Sequence, residues 1–107
     1  MDLVTFLDVL CPGWAHYCSL DRLNEVLSEM GPRFFTCTHR QTLICGTIQV
    51  SMERANYSFH SRTGRETVSS YYLRRYGFLL RAPGHRLVYI REDPGSLLPA
   101  ELLRFRP

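Results

Sequence analysis

The sequence predicts a small α+β domain in which short strands form a barrel-like body. Three observations carry that prediction. Two amphipathic helical stretches open the chain. The hydrophobic period then falls from 3.6 toward 2 in a succession of short runs rich in β-branched and aromatic residues. One further helix is inserted among those runs, and no regular strand–helix alternation points to a parallel sheet. At 107 residues the chain makes a single domain, spanning 1–107, with a real core and little room for a second.

In the first element Leu3, Phe6, Leu7 and Leu10 recur at helical spacing, and Pro12-Gly13 ends it. The link Trp14-Ala15-His16-Tyr17 is aromatic and is expected to pack. Ser19 suits the N-cap of a second helix and Asp21 its first turn. Leu20, Leu23, Leu27 and Met30 give that helix its apolar face, and Gly31-Pro32 stops it. Phe34–Thr38 and Leu43–Val50 read as strands, with His39-Arg40-Gln41 as the turn between them. Tyr57–His60 alternates like a half-buried strand, and Arg62–Arg65 is a polar turn. A helix follows, with Thr67 able to cap its start and Gly77 able to supply a left-handed residue past its end. Phe78–Arg81, a Pro83-Gly84 break and the strand Arg86–Arg91 come next; Asp93-Pro94-Gly95 is the expected turn, and Leu102–Phe105 begins a final strand that looks truncated.

Composition narrows the function. Apolar residues make up 45% and charged ones 21%, which is ordinary for a globular domain. The net charge of +3 is mild, yet all 13 basic residues are arginine. Arginine offers planar, weakly hydrated donors suited to phosphate and to stacking. Cys11, Cys18, Cys37 and Cys45 stand seven, nineteen and eight residues apart, which matches no zinc pattern. A reduced chain is the default, and cytoplasmic or nuclear location is expected, since the opening residues make a poor signal peptide. No phosphate loop, no H-E-x-x-H and no oriented nucleophile is present, so the chain is expected not to be an enzyme and to need no cofactor and no metal.

The segment with most chemical character is the helix Thr67–Gly77. Tyr71, Tyr72, Arg74, Arg75 and Tyr76 crowd into six positions. One reading is an amphipathic helix with tyrosine in the core and arginine at its solvated edge. The other is a phosphate site, because phenols and guanidiniums donate directed hydrogen bonds while the rings offer stacking faces.

The run Thr67-Val68-Ser69-Ser70-Tyr71-Tyr72-Leu73-Arg74-Arg75-Tyr76-Gly77, then Pro83, then Leu97-Leu98-Pro99-Ala100-Glu101-Leu102, resembles the PAZ domain of Argonaute, Piwi and Dicer proteins. The opening helix, the second helix and the strand pair to Val50 are similar as well, so the likeness spans nearly the whole chain. It implies an OB-like β-barrel with two N-terminal helices and an inserted β-hairpin plus helix, clamping the 3′ end of a small RNA between barrel and insert. By that resemblance Tyr71 and Tyr76 hold the phosphate between the last two nucleotides, with Arg75 beside them and His39 on the barrel side. Tyr57 and Phe59 would wall the terminal base and sugar, Leu98 would lie near the terminal ribose, and Tyr72 would be core. The family's loop after the histidine is commonly longer and basic; here Thr42 stands where its tyrosine would be and Arg40 is the sole obvious replacement. The expected partner is a single-stranded small RNA or the 3′ overhang of a small RNA duplex, together with other domains of a longer Argonaute-type parent. The alternatives are a PAZ-like spacer or protein-interaction module, a Dicer-type domain that measures duplex ends, and an OB-like binder of internal single strands.

Overall fold

The computed structural model describes residues 1–107 except 16–18, 39–41, 55, 57, 62–63, 83 and 107, and the side chains of residues 60 and 61 also lie outside the description. Helix α1 (Leu3–Leu10) begins where the Asp2 carboxylate accepts the Thr5 N–H at 2.7 Å, a cap the apolar spacing alone does not announce. Helix α2 (Leu20–Met30) has Ser19 at its N-cap position, but the serine hydroxyl makes no capping bond to the helix. Leu3, Leu7, Leu23 and Leu27 are the buried residues of the two helices. None of the described helices is long and apolar enough to cross a membrane.

Strands β1 (Arg33–Cys37), β2 (Thr42–Gly46) and β8 (Leu103–Phe105) form one antiparallel sheet in the order β2-β1-β8. Strands β3 (Ile48–Arg54), β6 (Arg86–Ile90) and β7 (Asp93–Pro99) form a second, β3-β6-β7. Between β3 and β6 the chain leaves for the hairpin β4 (Ser58–Ser61) and β5 (Gly64–Thr67) and helix α3 (Val68–Tyr76). The α+β class and the inserted hairpin plus helix are therefore as the sequence predicts. The barrel is not: the described strands stay in separate sheets and do not close.

Two boundaries differ from expectation for identifiable reasons. The run Leu43–Val50 is two strands, because the chain breaks at Gly46 and Thr47 to pass from one sheet to the other. A Cβ at Gly46 would overlap the Ile90 side chain and stand 2.8 Å from the Glu92 carboxylate, so only glycine fits there. Thr47, which follows, is 3% exposed and fully used. Its N–H and hydroxyl donate to Glu92 at 2.8 and 3.2 Å, and its carbonyl accepts the Arg91 N–H at 2.8 Å. The turn expected at Asp93-Pro94-Gly95 sits instead at Arg91 and Glu92, with Ile90 opposite Asp93. Pro94 and Gly95 thus belong to β7, an edge strand, where a missing N–H costs little.

The core gathers Trp14, Phe35, Leu87, Val88, Leu102 and Leu103, all fully covered, around the two helices. Trp14 donates its indole N–H to Asp8 at 2.8 Å, so the described part of the aromatic link does pack; His16 and Tyr17 lie outside the described residues. Helix α2 is pinned to β3 by Asn24, whose side-chain amide exchanges two hydrogen bonds with the Val50 backbone at 2.7 and 2.9 Å. Buried Gln49 donates to the Ile48 and Asn24 carbonyls and to the Ser28 hydroxyl. Every such bond keeps a buried polar group from costing stability. Cys37 is a buried thiol and Cys45 an exposed one, neither in a disulfide, whereas Cys11 is disulfide-bonded, which departs from a wholly reduced chain.

Candidate functional site

Helix α3 is built as its sequence indicates. The Thr67 hydroxyl accepts the Ser70 N–H at 3.0 Å, and Gly77 takes φ 65° so that its own N–H closes on the Leu73 carbonyl at 2.9 Å. Val68 and Tyr72 face the core. Tyr71 and Tyr76 are half-buried, while Arg74 and Arg75 are exposed. The core reading of the tyrosine helix holds for Tyr72, while Tyr71 and Tyr76 stand at the rim.

The rings form one cluster. Phe59 on β4 meets Tyr71 edge to face at 5.7 Å. Tyr71 meets Tyr72 at 5.8 Å and Tyr76 at 6.2 Å, both near perpendicular, and Tyr72 lies 5.4 Å from Tyr76. Each arginine covers a ring, Arg74 over Tyr71 and Arg75 over Tyr76, both with the guanidinium carbon 5.6 Å from the ring centre. Their charges are used differently. Arg74 donates through Nε and Nη2 to the Glu66 carboxylate at 3.3 and 2.7 Å, and this bond raises its pKa further. Arg75 has no such carboxylate among the described residues. Both lie in the last turn, where the helix carbonyls make the backbone negative, so an anion here depends on side chains.

A groove of about 370 Å³ runs between insert and sheet, lined by Phe59, Val68, Tyr71 and Tyr72 on one side and Gly95 and Leu97 of β7 on the other. The structure thus brings Phe59 and Tyr71 together at the groove and places Tyr76 and Arg75 one turn along the helix. Leu98 is 7% exposed and belongs to the core; Leu97 is the residue of that pair on the groove. His39, Arg40 and Tyr57 lie outside the described residues. Gly95 on the groove and Glu66 beside Arg74 are residues that sequence reasoning missed. No local pattern marks either one, since each is defined by what the hairpin register and the β7 edge put beside it. Among the described residues no group of His, Cys, Asp and Glu is placed to hold a metal.

No protein-family model matches the sequence, and no curated protein does. Solved structures do match. The PAZ domain of Drosophila Argonaute 2, described for its 3′-end recognition of nucleic acids, superposes with a TM-score of 0.65, over 99% of this chain and 94% of that one, at 17% identity. The chain has the PAZ fold. In those terms the insert of the PAZ fold is β4, β5 and α3, and the groove lies where that insert faces the body. At this identity the likeness concerns the fold, and the side chains of the groove have to be read on their own chemistry.

Proposed function

We propose that this domain anchors the 3′ end of a small guide RNA, as a single strand or a two-nucleotide overhang, without reading its sequence. In this reading it serves RNA silencing in the cytoplasm or nucleus, beside other domains of a longer protein. One observation carries the reading. The groove has an aromatic wall contributed by two elements, Phe59 and Tyr71, and among the described residues the only side-chain hydrogen-bonding groups on its lining are the Tyr71 and Tyr72 phenols. The last base of a strand lacks a stacking neighbour on one side, and an aromatic wall supplies one worth about 1–3 kcal/mol. A lining with so few donors and acceptors has little with which to tell one base edge from another.

The adjacent phosphate falls to Tyr71, Tyr76 and Arg75, the helix arginine with no carboxylate partner among the described residues. His39, Arg40 and Tyr57 keep the roles the family resemblance implies for them, and Leu97, which lines the groove, takes the place beside the terminal ribose expected of Leu98. The titration that tests this compares one short RNA carrying a free 3′ hydroxyl, a 2′-O-methyl end or a 3′ phosphate, with blunt duplex and circular RNA as controls. The free end should bind best and the circle worst. Equal binding of circle and overhang would refute end recognition, and no binding at all would leave the domain as a spacer or protein-interaction module.

A further inference from the structure

We propose that the Glu66–Arg74 ion pair is a latch that positions the hairpin against helix α3 and so sets the width of the groove. The hairpin needs one. Strands β4 and β5 pair with each other and, among the described residues, with neither larger sheet, so no ladder fixes them to the body. Glu66 stands directly across from Phe59 in the hairpin register, which puts both side chains on the same face, the one turned to the helix. From there the Glu66 carboxylate reaches two nitrogens of Arg74, a forked contact that fixes orientation as well as distance.

Arg74 in turn covers the ring of Tyr71, and Tyr71 touches Phe59. Phe59, Glu66, Arg74 and Tyr71 therefore close a circuit that crosses twice between hairpin and helix. The Glu66 side chain is 12% exposed and the Arg74 side chain 48%, so the acid is the held part and the base the open one. Breaking the pair removes one of the two side-chain crossings described between hairpin and helix, and a ligand must then do more of the ordering of the hairpin itself. Glu66 and Arg74 are positioning residues in this scheme, not phosphate ligands.

The ligand half of the inference rests on the RNA reading above, so the test has an arm that does not. Amide hydrogen exchange of β4 and β5 in the free protein should quicken in Glu66→Gln while exchange in β6 and the melting temperature stay as in wild type. Overhang RNA should bind Glu66→Gln about two- to fivefold more weakly, the range of an exposed ion pair. The reversed pair Glu66→Arg with Arg74→Glu should restore hairpin protection, because a latch works with its charges exchanged. Unchanged hairpin exchange in Glu66→Gln overturns the latch. So does tighter RNA binding, since that would make Arg74 a phosphate ligand which Glu66 holds back. If wild type binds no RNA the reading of the ligand fails, and the exchange measurement still decides the latch.

Discussion

Filling the groove from its far wall separates binding from folding with one residue. Gly95 lies on β7, two positions before Leu97, so a side chain there projects on the same face as Leu97, into the groove. A Cβ at Gly95 would meet no atom within 4 Å, and its backbone is outside the left-handed region. The series Gly95→Ala, Gly95→Val and Gly95→Ile therefore adds volume to the groove without strain. Losing glycine's freedom in the unfolded chain should stabilise the fold by about 0.4–1 kcal/mol, a rise of a few degrees in Tm. A terminal base denied its stacking place should lose about 1–3 kcal/mol, or about five- to 150-fold in Kd. Fluorescence anisotropy with an overhang RNA reads the second quantity and thermal melting the first. The two should move in opposite directions and grow along the series. A Gly95→Ile protein that melts no lower than wild type and binds overhang RNA within twofold of it would show that nucleic acid does not use this groove.

Four other expectations can be measured. Tyr71→Phe or Tyr76→Phe should weaken RNA binding by about 0.5–3 kcal/mol and leave Tm nearly unchanged, the loss of one hydrogen bond to a charged group. Tyr72→Ala, at a 6% exposed position, should instead destabilise by about 3–5 kcal/mol in denaturant titration. The slope of log affinity against log salt should be near −2, as for about two or three phosphates of a single strand, and a much steeper slope would mean a long electrostatic track. The backbone N–H of Thr47 holds the Glu92 carboxyl below the usual carboxylate range, helped by the Thr47 hydroxyl and Arg91. A lowered folded-state value means the stability is whole above the ordinary range and is lost as pH falls through the folded value. Acid melts should accordingly show wild type losing Tm more steeply than Glu92→Gln, and parallel curves would remove Thr47–Glu92 from the account.

How much of this could be read from the chain depends on how local each cause is. Helix α3 was legible to the residue, because its cap, Thr67, and its stop, Gly77, are written at its own ends. The order of helices, strands and insert was legible too, through changes of hydrophobic period and through the family resemblance. The break inside Leu43–Val50 was not, because what demands glycine at position 46 is Ile90, far along the chain. The β6–β7 turn was misplaced by trusting Pro-Gly as punctuation, when an edge strand tolerates both. At the groove the aromatic residues announced themselves by composition. The division of labour between Arg74 and Arg75 did not, since adjacent arginines look alike until the hairpin register sets Glu66 beside one of them.

Arg54 and Arg86, partners across a single rung of the β3–β6 ladder, make residues 55–85 a detour whose two ends already touch. Arg54 grips the Ala15 and Gly84 carbonyls at 2.6 and 2.9 Å, and Arg86 the Trp14 carbonyl at 3.3 Å, so the junction is riveted to the body on both sides. The entropy of closing a chain excursion grows only slowly with its length once its ends are fixed. Lengthening, shortening or exchanging the tip of this excursion thus leaves the β3–β6 alignment untouched, provided Val68, Tyr72 and Leu80 still fill their places in the core. Ligand choice and architectural integrity are in that sense inherited separately, as a tool head is from its handle.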